Sequence, residues 1–372
     1  MGSDMNDRNA FGGVLIPSEV AGTNPASRRR FLASLAAVGI GAMGLQKGLF
    51  AALSIAPSGS GLIDVHHHFA PAFYIEEARE QFIATGNGGA LRGPLGEWTP
   101  EKSLADMDRN GVEYAVLSLT TPAVWMGDIP KSRKLARKCN EYAAELAVKN
   151  ASRFGFFAAV PLPDPEGSLQ EIEYAVDHLK ANGIGLLTSY DDKWPGDAAF
   201  APVLEELNRR KAVVYFHPSA PSCCRNLIPG VPAPTVEFPH DTTRAITSLL
   251  LSGSLARFSE IKFIFSHAGG TMPMVWGRIA QLARTPAFAE KVPNGAEYEL
   301  KRLHYEIANS ATKSAISGLM NLVPSSQVMF GTDFPFYGIG VTADGMKNVV
   351  LTGPEMAAIG RENAMRLLGR SK

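Results

Sequence analysis

A His-x-His pair is the first feature of this chain that can do chemistry. His66 and His68 end the apolar segment 62–68. Residues two apart in an extended strand project to the same side, so these two imidazoles can bind one ion together. His67, between them, projects to the opposite side and is not expected to touch that ion. The pair alone is also typical of packed core histidines, so metal binding requires further ligands.

Two further residues supply those ligands. His217 ends the apolar segment 212–217, and Asp333 follows the apolar and small residues 328–332. An imidazole or a carboxylate that is buried without a partner is costly, which favours a ligand role for both. Imidazoles with one carboxylate suit a catalytic zinc or manganese ion, and these donors do not discriminate between the two metals. The predicted metal ligands are His66, His68, His217 and Asp333.

Another histidine is placed for proton transfer. His267 precedes Gly269 and Gly270, which allow close approach of the backbone, and a predicted helix follows. A histidine titrates near neutrality, so we predict that His267, assisted by Asp333, is a catalytic acid–base group beside the metal. A fifth ligand and a purely structural histidine are the alternatives.

One arginine is a candidate for binding the substrate. Arg278 lies eleven residues after His267 on the same predicted helix. A guanidinium binds a carboxylate through two parallel hydrogen bonds, so we predict that Arg278 contacts a substrate carboxylate. A salt bridge at the surface or at an interface is the alternative.

The composition excludes some classes of function. The chain has 372 residues, of which 45% are hydrophobic, and its 36 Lys and Arg residues balance its 36 Asp and Glu residues. Balanced charge gives no long-range attraction to phosphate, so no nucleic acid partner is expected. Of its three cysteines, Cys223 and Cys224 are adjacent, which argues against a disulfide framework.

The first part of the chain is predicted to be a targeting segment. Residues 27–32 contain consecutive arginines followed by Phe and Leu, and 33–45 carry no charge but are too few to span a bilayer. This is the pattern of a twin-arginine signal. We predict that 1–61 is a tail with this signal and a linker, and that the export machinery delivers the protein to the periplasm or its membrane. The alternative is a disordered tail on a cytoplasmic protein.

The rest of the chain, 62–372, is predicted to form one α/β domain. Apolar segments rich in β-formers alternate with helical patterns, and such strands belong to parallel sheets covered by helices. Eight such units predict a (β/α)8 TIM barrel, with an insertion after the first strand (70–100) and a long loop after the fifth (219–239). Asp241 is expected to cap the helix after that loop. The strand candidates are 62–68, 112–119, 154–162, 183–189, 212–218, 262–268, 303–309 and 327–335.

Five motifs in this order resemble the amidohydrolase-2 family, in particular its decarboxylase branch, which includes enzymes of 6-methylsalicylate. The resemblance covers the chain from 62 onward and implies a metal-dependent carboxy-lyase that acts on a small carboxylic acid. It implies the same metal ligands, proton donor and substrate arginine as above. Helices around barrels commonly pair, so a homodimer is an open possibility. The motifs are Ile63 to His68, His217-Pro218, Glu237 to Ala245, His267 to Gly270 and Phe330 to Pro335.

One departure within that branch narrows the substrate. Ser103 stands where relatives that act on a diacid carry an arginine. A small aromatic acid with one carboxylate, similar to 6-methylsalicylate, is therefore the expected substrate, and nonoxidative decarboxylation is the expected reaction. The alternative is hydrolysis or hydration of an amide, ester or lactone, because the same ligands serve both reactions.

Overall fold

Eight short apolar segments form neighbouring parallel strands, in chain order, in the computed structural model, which describes residues 61–225 and 227–370. The chain after the last strand returns to the first, because the backbone N–H of Val65 donates to Phe330 O at 3.1 Å and that of Asp333 donates to His66 O at 2.8 Å. The predicted TIM barrel is confirmed. The strands are β1 (Leu62–His68), β2 (Val112–Ser118), β3 (Phe154–Ala159), β4 (Gly183–Leu187), β5 (Val213–His217), β6 (Lys262–Phe265), β7 (His304–Glu306) and β8 (Val328–Met329).

The strands are buried because helices cover the outside of the barrel. Every residue of β3 and β5 is buried, as expected for parallel strands with two covered faces. Several strands are shorter than predicted at their carboxyl ends. The chain leaves β6 after Phe265, for example, because the residues that follow, His267–Gly269, form a 3-10 turn with positive φ.

Helices alternate with the strands, and several begin at a polar residue that caps them. Asp128 and Asp164 accept hydrogen bonds from the backbone of the first turn, and a proline follows each of them. The described α-helices are α1 (Ala72–Glu77), α2 (Arg79–Ala84), α3 (Pro100–Asn110), α4 (Ile129–Lys149), α5 (Pro165–Glu173), α6 (Ala201–Arg209), α7 (Ala233–Leu251), α8 (Ser254–Arg257), α9 (Met272–Ala283), α10 (Ala296–Arg302), α11 (Lys313–Leu322), α12 (Ile339–Lys347), α13 (Gly353–Ala357) and α14 (Asn363–Leu367).

The insertion after β1 contains α1, α2 and a 3-10 segment, Gly88–Arg92. It is attached to the barrel by buried aromatic residues. Tyr74 donates to Ala123 O at 3.0 Å, and Trp98 Nε1 donates to Ser103 Oγ at 2.9 Å. These bonds hold the insertion against the rim where β1 and β2 end.

The loop after β5 is shorter than predicted. Helix α7 begins at Ala233, so residues 233–239 are helical although Pro239 lies inside them. A proline in the first helical turn costs no hydrogen bond, which explains how Pro234 can start this helix. In the loop, Cys223 and Cys224 form a vicinal disulfide, although their adjacent positions argue against a disulfide framework.

The predicted tail with its twin-arginine signal and linker lies outside the described residues, apart from Gly61. In the described part of the chain, no helix combines the length and the apolar character needed to cross a membrane.

Candidate metal centre

The barrel brings the four predicted metal ligands together at the carboxyl ends of β1, β5 and β8. His66 Nε2 lies 3.0 Å from His68 Nε2, and Asp333 Oδ1 lies 3.2 Å from the first and 3.0 Å from the second. With His217, all four ligand atoms lie within 4.8 Å of one another. His66 and His68 are 0% exposed, and His217 and Asp333 are also buried, so the four side chains have little contact with solvent.

Each of the three imidazoles contacts an oxygen through its other ring nitrogen. An oxygen acceptor at Nδ1 places the proton there, which leaves a lone pair on Nε2. In the deprotonated state that could bind an ion, the 3.0 Å contact between the two Nε2 atoms joins two lone pairs. A cation relieves this contact, so the donor set fits a divalent metal ion. The three contacts are His66 Nδ1 with Glu306 Oε1 at 2.8 Å, His68 Nδ1 with Ser118 O at 3.2 Å and His217 Nδ1 with Pro218 O at 2.8 Å.

His67 faces away from this cluster. Its Nδ1 contacts Asp64 Oδ2 and its Nε2 contacts Ser103 Oγ, both at 3.0 Å. Asp64 also accepts the backbone N–H of His66 at 3.0 Å and the hydroxyl of Thr332 at 2.6 Å. Asp64 therefore fixes β1 against the segment that carries the aspartate ligand.

His267 stands just outside the four ligand atoms. Its backbone has φ of 55°, in the left-handed region, and its N–H donates to Glu306 Oε1 at 2.8 Å. Its Nε2 is buried and lies 3.5 Å from Asp333 Oδ2, at the limit of a hydrogen bond. Asn309 Nδ2 donates to the same oxygen at 2.7 Å. Asp333 thus directs Oδ1 to the ligand cluster and Oδ2 to the predicted proton-transfer group.

Arg278 is not part of this cluster. Its side chain is exposed on α9, and within residues 61–225 and 227–370 its guanidinium forms no salt bridge. The substrate contact predicted for Arg278 stays a prediction.

Asp241 has a different place from the one expected. The prediction that it caps a helix is wrong, because α7 begins well before it, at Ala233. Its buried carboxylate binds the segment that follows β4. That segment is also attached to the end of β5, because the backbone N–H of Thr188 donates to His217 O at 2.9 Å. The carboxylate accepts hydrogen bonds from Thr188 Oγ1 at 2.5 Å, Ser189 Oγ at 2.9 Å and Trp194 Nε1 at 2.8 Å.

Glu306 and Asn309 were missed in the sequence. Glu306 is the last residue of β7 and is fully buried. A carboxylate inside the apolar segment 303–309 was a visible signal of the same kind as Asp333. With His66 and His267 it forms a second group of ligand-type atoms. Because Glu306 Oε1 already accepts two N–H donors, this group does not need an ion.

The charges in the metal-free cluster place a proton on His66. Burial lowers the pKa of His66, but the nearby carboxylates of Glu306 and Asp333 outweigh burial and raise it to about 10. Burial lowers the pKa of His68 and of His217, so these two imidazoles are neutral. Burial would raise the pKa of Asp333, but the charge of His66 holds it well below its usual range.

Comparison with known proteins extends over nearly the whole barrel. The family model described as Amidohydrolase matches residues 63–370. Decarboxylase yanB of Aspergillus niger is 36% identical over 326 residues, which cover 83% of this chain and 87% of that protein. The 6-methylsalicylic acid decarboxylase of Penicillium expansum is 35% identical over 282 residues, which cover 73% and 84%. A crystal structure of dihydroxybenzoic acid decarboxylase from Polaromonas, with bound manganese and 2-nitroresorcinol, is similar with a TM-score of 0.73 at 25% identity, covering 83% and 97%.

The proton on His66 predicts how metal binding depends on pH. An ion needs the lone pair of His66 Nε2, so binding must displace one proton at any pH below about 10. The apparent affinity of the metal-free protein for Mn²⁺ or Zn²⁺ should rise about tenfold per pH unit between pH 6 and 8, approximately one proton being released. Isothermal titration in buffers of different ionisation enthalpy measures this proton. An affinity that does not change with pH would contradict the assignment.

Proposed function

The chain belongs to the amidohydrolase family, and we propose that it is a metal-dependent nonoxidative decarboxylase, a carboxy-lyase that acts on a small aromatic acid. The observation that carries this proposal is the convergence of three imidazole nitrogens and Asp333 Oδ1 at buried positions where the strands of the barrel end. Relatives at 36% and 35% identity that are named decarboxylases support the choice of reaction.

The proposed substrate is a benzoic acid with a hydroxyl next to the carboxylate, similar to 6-methylsalicylate. The name of the Penicillium expansum relative supports this class. Ser103 is buried against His67 and Trp98, on the side of β1 that faces away from the ligand cluster, so it does not bear on the number of substrate carboxylates.

His66, His68, His217 and Asp333 would hold the ion, either manganese or zinc. When bound, such an ion supplies positive charge that orients a carboxylate and a neighbouring oxygen and draws electron density from them. Manganese in the similar Polaromonas structure supports manganese. The imidazole and carboxylate donors are equally compatible with zinc.

The chain's own residues supply the proton. Breaking the bond between the carboxylate carbon and the ring leaves the electron pair on the ring carbon, and that carbon takes a proton as carbon dioxide leaves. His267 Nε2 lies 3.5 Å from Asp333 Oδ2 and is the group proposed to deliver this proton. Asn309 keeps that oxygen in place by its hydrogen bond. Burial of these side chains strengthens each of these electrostatic contacts.

Mass spectrometry of the products tests the reaction. The metal-loaded protein is incubated with 6-methylsalicylate, 2,6-dihydroxybenzoate, unsubstituted benzoate, a lactone and an N-acyl compound. Loss of carbon dioxide is expected from the hydroxybenzoates, while benzoate should remain unchanged because it lacks the second oxygen. Uptake of water by the lactone or the N-acyl compound, with no loss of carbon dioxide from any acid, would replace the decarboxylase with a hydrolase.

Substitution of the proton donor separates catalysis from metal binding. His267→Ala should lower kcat by about 10²- to 10⁴-fold because the ring carbon loses its proton source. The variant should bind Mn²⁺ with nearly unchanged affinity, since the imidazole is not among the four ligands. His178→Ala, at an exposed position, is the matched control. Full activity of the His267 variant would remove this residue from the mechanism.

We also propose that the tail directs export through the twin-arginine route. The consecutive arginines within 27–32 and the uncharged residues 33–45 support this route. Replacing Arg28 and Arg29 by Lys should retain the protein in the cytoplasm, because the machinery recognises this arginine pair. Cell fractionation compares this variant with one that carries Arg8→Lys, outside the motif. If the two variants divide equally between the cytoplasmic and exported fractions, the arginine pair does not direct export.

A further inference from the structure

Glu306 contacts both His66, a predicted metal ligand, and His267, the proposed proton donor. It is fully buried at the end of β7. Its Oε1 accepts from the ring N–H of His66 at 2.8 Å and from the backbone N–H of His267 at 2.8 Å. Its Oε2 accepts from the backbone N–H of Ala308 at 2.6 Å. Three N–H donors therefore hold one carboxylate in a single orientation.

These contacts link the metal ligand to the proton donor. The bond to His66 fixes which nitrogen carries the proton and turns Nε2 toward the other ligand atoms. The bond to His267 holds a backbone with φ of 55°, followed by Ala268 with φ of 56°. Non-glycine residues rarely adopt this conformation, and neighbouring contacts must maintain it. One carboxylate thus supports a ligand and a strained turn at once.

The segment that follows β8 leaves room for this carboxylate. A Cβ atom built on Gly331 would lie 2.2 Å from Glu306 Oε2 and 2.9 Å from His66 Cβ. Glycine is therefore the residue that fits between Phe330 and Thr332 while Glu306 keeps its position. The glycine before the aspartate ligand is explained by Glu306 and not by a turn.

We propose that Glu306 is a positioning residue that orients His66 for the metal and His267 for proton transfer. Glu306 itself contacts neither the ion nor the substrate. Its negative charge, together with Asp333, balances the two positive charges of the ion inside a buried site. The inference rests on the metal centre of the proposed function.

Glu306→Gln is the sharpest variant because it keeps the size of the side chain. The carboxamide has one oxygen and one NH2 group, whereas all three neighbours of Glu306 are N–H donors. The NH2 group of the glutamine must therefore lie against an N–H donor, either that of Ala308 or those of His66 and His267. The variant also removes the negative charge that faces the metal ligand.

The affinity for Mn²⁺ alone tests the proposal without the reaction. Titration calorimetry should show about 10- to 100-fold weaker binding by Glu306→Gln than by the wild-type protein. The absorption spectrum of Co²⁺ bound to the variant should shift, because a reoriented imidazole changes the ligand field. Glu299→Gln is the matched control, since Glu299 is equally buried but pairs with Arg302 on α10. This control should leave both readouts unchanged.

A measurement on the wild-type protein decides the question even when the variant does not fold. In the Zn²⁺ protein, the His66 ring proton bonded to a buried carboxylate should give a far-downfield imidazole N–H resonance in the NMR spectrum. Burial protects this proton from exchange with water. Absence of the resonance overturns the proposal.

The outcomes separate this inference from the proposed function. Equal Mn²⁺ affinities and equal Co²⁺ spectra for Glu306→Gln and wild type overturn the positioning role alone. A wild-type protein that binds no ion overturns the metal centre and this inference together. Weaker binding with a shifted spectrum in Glu306→Gln, but not in Glu299→Gln, supports the role.

Discussion

Electrostatic repulsion among four electron-donating atoms is the constraint on which the rest of this structure depends. Nε2 of three histidines and Oδ1 of Asp333 lie within 4.8 Å of one another, and the two closest nitrogens are 3.0 Å apart. Such an arrangement is unfavourable without a positive charge, so the fold must hold each atom in place. Each of the three rings is held by an oxygen that contacts its Nδ1. These oxygens belong to Glu306 of β7, Ser118 of β2 and Pro218, which follows β5.

The barrel meets this constraint at a cost in backbone conformation. His267, Ala268 and Asp333 all have positive φ, and such residues cost about 1–3 kcal/mol each. Buried hydrogen bonds at the same places offset part of this cost. Glu306 accepts from the backbone of His267, and Asp64 accepts from the backbone of Thr332 at 3.1 Å, next to the aspartate ligand. Strain and its compensation thus occur together at the carboxyl ends of the strands, where barrels carry their sites.

The charge distribution of the site follows from the same contacts. Two buried carboxylates, Glu306 and Asp333, flank the ring of His66. In the metal-free protein a proton on His66 balances part of this charge, and a divalent ion balances all of it. The two sides of Asp333 then have separate tasks, because Oδ1 faces the ligand cluster and Oδ2 faces Asn309 and His267. In the proposed reaction, a buried histidine beside an ion would suit the protonation of a ring carbon as carbon dioxide leaves.

The amino-acid sequence by itself determined the order of the strands and the identity of the four ligand candidates, because both depend on local patterns. Alternation of apolar segments with helical periodicity predicts a parallel barrel, and parallel strands bring their carboxyl ends to one rim. His66, His68, His217 and Asp333 were therefore identifiable from their positions at the ends of such segments. Only the tertiary structure decided the partners of these ligands. Glu306 approaches His66 across 240 residues of chain, and Asp241 sits in the middle of α7 rather than at its start. Contacts of this kind depend on strand register and helix packing, which no local pattern encodes.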